Sequence, residues 1–492
     1  MKMNWSEYQE AIFDAVERIH EGGRDLVVLA RAGTGKTTTM VEAVIRYARR
    51  NPRNRTLTCA FNVKNARDLQ GKIGAAGLDW RTASAKTLNS VGLATVRKAW
   101  GKGVEVDPEK GKKAAKAACA ALPAAALEVI SPEGKVRRLA TLAKITLTDP
   151  RDLPAIEELA NRYAVADEAG ELAALARLAS RAMEISAEDR SSVDFDDQLW
   201  FPHHFGLTPW QHDLVVVDEA QDMNLSQLEL ARNSVKRGGR LVAVGDDRQA
   251  IYGWRAADSN FLTRMVRDLG AATLPLPRTY RCGTSIVDEA RRIVPDYEAA
   301  AGNEPGTVRA IRGGKLLAEV RPGDFVICRA NAPLLPLCLE LLKDRVPAAI
   351  QGRDVLGQLL GVLRKAEERD GVGTTAALVG WLDAHEADER RKLEERDAEE
   401  GLLEALSDRC ACLRALLDVA STLPDLRARL EELFSDVDDD SRVTLSTAHR
   451  AKGLERDRVF LLRDSFREGG QESNCLYVAI TRARRELVYV QG

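Results

Sequence analysis

Nothing in this chain of 492 residues approaches the ~20 consecutive apolar residues that a membrane-spanning helix needs, which excludes a helical membrane protein. The opening MKMNWSEYQE has no basic-then-apolar pattern, so no secretory leader is expected. Cysteine is sparse: eight residues, at 59, 119, 282, 328, 338, 410, 412 and 475, with no C-x-x-C pair among them. Cys410 and Cys412 stand too close for a zinc knuckle, and the pattern reads as free thiols in a reducing cytosol. Net charge is also nearly absent. A total of −2 does not announce a nucleic-acid binder, nor exclude one, because a local basic cleft matters more than the sum. What remains, 45% hydrophobic and 30% charged residues, is ordinary for a globular protein, and the length suggests about three domains.

The chain is organised around Leu26–Thr38, LVVLARAGTGKTT. Four apolar residues, Leu26 to Leu29, read as one buried strand; a turn leads into Gly33-Thr34-Gly35-Lys36-Thr37, and Thr38 to Arg49 has helical periodicity. Strand, glycine loop and helix in that order form the context of a phosphate-binding loop. Gly33 and Gly35 let successive N–H groups converge on one anion, and the helix adds its positive N-terminal end. Lys36 would reach the β- and γ-phosphates of ATP and the Thr37 hydroxyl would ligate Mg²⁺, so Ala32, Gly33, Thr34, Gly35, Lys36, Thr37 and Thr38 form the expected nucleotide-binding set. The leading glycine of G-x-x-x-x-G-K-[ST] is here Ala30.

Upstream, Ile12, Phe13, Val16 and Ile19 fall at helical spacing, with Gln9 in the first turns. Downstream, Thr56–Phe61 reads as a strand beside the first, ending on Phe61-Asn62 ahead of a helix from Val63 to Ile73. Phe61 reads equally well as a crevice aromatic or as core. Arg81–Ser84 reads as a short strand, and Lys86–Gly92 as a polar turn. From about 93 to 190 an Ala-, Leu-, Lys- and Glu-rich segment, punctuated by prolines, reads as a helical insert. The basic run Arg97–Lys116 within it is either a solvated face or a phosphate contact. The α/β pattern resumes after Asp194-Phe195-Asp196-Asp197 with Leu214–Val217, four apolar residues delivering Asp218-Glu219 to a sheet's carboxyl edge. Asp218 is placed to hold Mg²⁺ through water and Glu219 to polarise the attacking water. The strand Arg240–Val244 leads to Gln249, which can sense the γ-phosphate. Tyr252, Trp254 and Arg255 then alternate aromatic and basic character, as a base-stacking platform does and as a small aromatic cluster also would.

Taken in order, AGTGKT, DEAQD, GDDRQAIYGWR, TYR, STAHRAKGLE and YVAITRAR resemble the motif series of the superfamily 1 UvrD/Rep-like DNA helicases, in a small phage-type or F-box-helicase-like branch. The resemblance implies an α/β fold of two RecA-like P-loop domains with parallel sheets, each carrying a mainly helical insert. Residues 1–92 and 191–273 would form the first motor domain around an insert at 93–190. Residues 274–355 and 436–492, opening at Leu274-Pro275-Leu276-Pro277, would form the second around a reduced insert at 356–435. It also implies roles. Gln9 would read adenine, Tyr280 stack on it, and Glu455 read the nucleotide sugar. Arg281 and Arg482 would act as arginines on the γ-phosphate. Phe61, Asn62, Tyr252, Trp254, Arg255, His449 and Lys452 would lie along DNA. Three further positions depart from the pattern: Asn89 replaces a histidine, Thr279 an asparagine and Asn474 an arginine.

The function so implied is an ATP-dependent single-stranded DNA translocase or DNA helicase, of 3′-to-5′ polarity, with ATP and Mg²⁺ as cofactors and single-stranded or tailed duplex DNA as partner. Repair and replication are the implied settings, in the cytoplasm of a bacterial or phage-infected cell or in a nucleus. Two rivals stand beside it. One is a DNA-stimulated ATPase that displaces proteins or serves a nuclease partner with little unwinding alone, motivated by the reduced insert. The other is a nucleotide-gated DNA-binding switch, against which the presence of both Glu219 and Arg482 argues.

Overall fold

A computed structural model describes residues 4–120, 132–166, 169–251, 261–368, 372–395, 400–417, 419–436, 440–467 and 469–492. The chain forms two compact units, one made mainly of the residues up to Pro277, Ala32–Thr34 excepted, and the other mainly of those from Arg278 on. Each is built on a six-stranded parallel sheet, the α/β architecture expected of RecA-like domains. Among the described residues no helix is long and apolar enough to cross a membrane, and all eight cysteines are free and buried.

In the first unit the strands run, edge to edge, Ala83–Thr87, Thr56–Ala60, His212–Val217, Val235–Gly245, Leu26–Ala30 and Ala272–Leu276. All five pairings are parallel. Central strands buried on both faces need continuous apolar runs, which Leu26–Ala30 and Leu214–Val217 supply. The third strand is Ala83–Thr87, and the helix Leu88–Trp100 starts at once after it, so Lys86–Gly92 is not a turn. Thr87 itself caps that helix, accepting from Ser90 N, which lets strand pass into helix without a loop. The segment Leu274–Leu276, read as opening the second motor domain, pairs in register with Val28–Ala30 as an edge strand of the first sheet. Proline at 275 lacks a donor, and an edge strand is where that loss is tolerated.

The helical insert is present and its core extends beyond residue 190. Helices Lys110–Cys119, Glu133–Ile145, Leu153–Arg162 and Leu172–Glu188 share one buried cluster with Trp200 and Phe201 of Phe195–His204. Asp194 and Asp197 form a capping box at the start of that last helix.

In the second unit the order is Thr307–Arg312, Ala483–Gln491, Arg456–Leu462, Phe325–Cys328, Val443–Thr447 and Ala348–Ile350. Its helices Arg353–Glu367, Thr375–Glu394, Glu400–Leu417 and Leu423–Leu433 do not form a separate core. Leu359, Leu382, Leu413 and Leu430 are buried in the same cluster as Val326, Leu445 and Phe460 of the sheet. Arg414 reaches back to Asp383 and Glu386, so Thr375–Glu394 and Glu400–Leu417 form a salt-bridged pair of helices.

Candidate nucleotide site and DNA-facing edge

In the first unit the Leu26–Ala30 strand feeds a loop in which Gly33 and Gly35 hold φ of 68° and 74°, a left-handed backbone that side chains with a Cβ resist. Lys36 begins the helix Lys36–Arg50. Its ammonium lies 3.2 Å from Glu219 Oε2, and Thr37 Oγ1 donates to Asp218 Oδ2 at 3.0 Å. Four of the residues singled out by sequence thus converge from two strand ends. Burial alone would lower the Lys36 pKa, but Glu219, Asp246 and Asp218 outweigh it and hold the value above that of a free lysine. Asp218 is pushed up to about 6, first by burial and then by the charge of Glu219, with Lys36 and the Thr37 hydroxyl opposing. A hydroxyl and a crowded carboxylate facing each other at 3.0 Å are the hard oxygen donors that suit Mg²⁺, whose charge would relieve that crowding. The residues present fit the ion.

Glu219 sits at φ 52°, ψ 43°, an uncommon conformation for a residue with a long side chain. It ends a chain of bonds that sequence reading had not assembled. Gln221 Nε2 donates to Glu219 Oε2 at 2.6 Å, and Gln221 Oε1 accepts from Asp246 N at 3.1 Å. Asp246 Oδ2 in turn accepts from Gln249 Nε2 at 2.5 Å, while Arg31 approaches Oδ1 at 3.3 Å. Asp246 is fully buried, which raises its pKa, with Lys36 and then Arg31 opposing. The signal was present in the letters DEAQD and GDDRQ, but only the fold puts the two loops side by side. Gly245 keeps the space open, since a Cβ there would stand 2.4 Å from Gln221 Oε1.

Gln9 is buried and donates through Nε2 to Thr39 Oγ1 at 2.9 Å, which in turn donates to Gly35 O. The glutamine is therefore tied to the helix that follows the phosphate loop. Thr34 is fully buried, Ala32 nearly so, and Thr38 lies in the helix's first turn.

Phe61, at the carboxyl end of its strand, is 59% exposed, which removes the core reading. Asn62 caps the next helix, accepting from Asn65 N at 2.8 Å. Phe61 and Asn89 line one cleft with Asp218 and Glu219. Asn89 Nδ2 donates to the carbonyl of Phe195 at 2.8 Å, and Phe195 is itself 57% exposed. Sequence reading passed over Phe195. A lone aromatic between aspartates has no periodicity to mark it. Of the basic run, Lys110 is buried, and Lys112 and Lys113 pair with Glu109 and Asp107. Tyr252, Trp254 and Arg255 lie outside the described residues.

In the second unit three further residues come together. Arg281 Nε is 2.5 Å from Glu455 Oε2. Arg482 is 1% exposed and donates to the carbonyls of Val478 and Leu454 and to Thr481 Oγ1. Burial and then Arg281 draw its pKa down to about 10. Tyr280 is exposed, His449 Nε2 lies 3.7 Å from Cys475 Sγ, and Lys452 follows the short helix Ala448–Ala451.

Comparison with known proteins bears on both units. Residues 12–270 match the UvrD/REP helicase N-terminal domain, and residues 442–490 the UvrD-like helicase C-terminal domain. ATP-dependent DNA helicase UvrD2 of Mycobacterium tuberculosis is 26% identical over 537 residues, covering 94% of this chain and 75% of the relative. F-box DNA helicase protein 1 of Schizosaccharomyces pombe is 27% identical over 325 residues, 58% of this chain and 34% of its own. DNA helicase II of Escherichia coli is 32% identical over 110 residues, 22% of this chain and 15% of its own.

Proposed function

The chain belongs to the UvrD/REP helicase family and is an ATP-dependent DNA helicase, and from that premise we propose a single-stranded DNA translocase of 3′-to-5′ polarity that engages single strands or tailed duplexes. The observation that carries the chemistry is the convergence of Lys36 on Glu219 and of Thr37 on Asp218. In this reading Lys36 binds the β- and γ-phosphates, and Glu219 takes a proton from the attacking water. Thr37 and Asp218 would hold Mg²⁺, which when bound neutralises charge developing on the phosphates. Gln249 senses the γ-phosphate, Gln9 reads adenine, Tyr280 stacks on it, and Glu455 reads the sugar. Arg281 and Arg482 stabilise the charge of the transition state. An arginine in that role is worth about 10³–10⁵ in turnover.

On the DNA side, Phe61, Asn62, Tyr252, Trp254, Arg255, His449 and Lys452 are assigned to the strand. Phe195 joins them on account of its exposure and its tie to Asn89. The polarity rests on family likeness alone, as do the settings of repair and replication and a compartment that holds DNA, whether bacterial cytoplasm or nucleus. The test is the ATPase rate against single-stranded DNA, single-stranded RNA and duplex, together with unwinding of duplexes tailed at one end or the other. Stimulation by RNA alone, or unwinding only from a 5′ tail, overturns the reading.

One observation favours a second reading, a motor that displaces proteins or serves a nuclease partner with little unwinding alone. The helices of the second unit's insert share their hydrophobic core with its sheet. An insert so bound has less freedom to rearrange against a duplex. Robust unwinding by the isolated chain, with no gain on a protein-blocked substrate, counts against this second reading.

A further inference from the structure

The insert of the first unit buries two lysines, Lys110 and Lys144, at 4% and 3% exposure. Both face one fully buried carboxylate. Lys144 Nζ lies 2.6 Å from Asp197 Oδ1, and Lys110 Nζ 3.3 Å from Oδ2. Ser186 Oγ is 2.9 Å from each of those oxygens. The three groups come from three helices: Lys110–Cys119, Glu133–Ile145 and Leu172–Glu188. What they grip is the first turn of a fourth. Asp197 N donates to Asp194 Oδ1 at 2.7 Å and Asp194 N to Asp197 Oδ2 at 3.3 Å, and Phe195 sits between the two aspartates.

Burying this much charge is costly, and a well-packed apolar cluster is commonly as stable or more so. Burial by itself would pull the Lys144 pKa down; Asp197 and Asp194 together hold it above the ordinary lysine value, so the ammonium stays charged. Asp194, Phe195 and Asp196 border a cavity of about 210 Å³ together with Gly111 and Lys144. Thr141 Oγ1 also donates to Asp196 Oδ2 at 2.7 Å, so the direction of the turn is set by these polar and ionic ties together.

We propose that Lys144 and Lys110, acting through Asp197, are positioning residues for DNA: they fix the Asp194–Asp197 turn so that Phe195 is held as a rigid stacking face for a base. The helical insert then sets strand affinity through its own packing. The inference rests on the assignment of Phe195 to the DNA-facing edge. An ordered aromatic face loses less freedom when a base stacks on it, which is where the gain in affinity arises.

The experiment uses the full chain and a short oligothymidylate, reading the DNA concentration for half-maximal ATPase, the rate at saturating DNA and the DNA-free rate. Lys144→Met should raise the half-maximal concentration about tenfold while both rates stay within about twofold of the parent. Phe195→Ala should raise the half-maximal DNA concentration at least as much, and the double variant should be no weaker in that concentration than Phe195→Ala alone. Ser186→Ala removes two contacts to Asp197 without leaving a charge unpaired. It should show the same pattern at smaller amplitude, and it decides the matter if Lys144→Met fails to fold. Additive loss in the double variant overturns the inference, as does an unchanged half-maximal concentration in the lysine or serine variant when Phe195→Ala weakens binding. Unchanged affinity in Phe195→Ala alone overturns the assignment of Phe195 to DNA, and the inference with it.

Discussion

Gln221 donates to the Oε2 of Glu219 at 2.6 Å, the same oxygen that Lys36 approaches at 3.2 Å. Through its other end Gln221 accepts from Asp246 N, and Asp246 holds Gln249. The proposed base and the proposed γ-phosphate sensor are therefore linked by two side chains. Gln221→Leu should leave nucleotide affinity within about threefold but lower DNA-stimulated turnover by about 10–100-fold, because Glu219 loses its orienting donor. It also strands the buried Asp246 N–H, at about 1–3 kcal/mol of stability. Nucleotide titration, steady-state ATPase and chemical denaturation on one preparation separate these effects. Turnover equal to the parent would show the link to be idle.

Glu219 itself makes a sharper test. Glu219→Gln keeps the side chain's shape and removes its basicity, so ATP should still bind while turnover falls by about 10²–10⁴-fold. The left-handed backbone at this position adds a second expectation, because glycine adopts φ 52° without strain. Glu219→Gly should be inactive yet fold as stably as the parent or up to about 1 kcal/mol more so. A large loss of stability in the glycine variant would mean that the pair with Lys36 outweighs the backbone strain.

Much of this site is legible in the letters. The apolar run Leu26–Leu29 before Gly33-Thr34-Gly35-Lys36 specifies strand, loop and helix, and Val215–Val217 before Asp218-Glu219 specifies a buried strand with acids at its end. These signals are local. Asp246 and Phe195 are different, because a buried aspartate and an exposed phenylalanine carry no periodic mark, and their roles arise from partners 25 and 106 residues away. The start of the second unit is hidden in the letters for a related reason. Leu274-Pro275-Leu276-Pro277 has the composition of a linker, and only its pairing with Leu26–Ala30 makes it a strand.

Gly92 offers a stability test of the first unit. It lies in the helix Leu88–Trp100, and a Cβ there would fall 1.8 Å from the backbone oxygen of Gln198 in the helix Phe195–His204. The two helices approach so closely only because the side chain is absent. A backbone oxygen cannot swing aside, so Gly92→Ala must push the helices apart, at about 1–3 kcal/mol. The same shift moves Asn89 relative to Phe195, so single-strand affinity should weaken along with the melting temperature. A variant that melts as the parent does would mean that the helices separate freely.

Acid should expose one tie of the insert. Asp189 accepts from Ser191 N and Oγ and from Ser192 Oγ, and its carboxyl is held down at about 2. Burial opposes that shift; the serine donors and then Lys110 drive it. Because the folded pKa lies below the unfolded one, the group contributes stability above about pH 4 that is lost as pH falls toward 2. The side chain is 43% exposed, so solvent screening limits the contribution to about 1 kcal/mol. Asp189→Asn should accordingly be less stable than the parent at pH 6, with the difference shrinking between pH 4 and pH 2. Denaturant midpoints measured side by side across that range give the result, and a difference that stays constant with pH would assign the loss to hydrogen bonding alone.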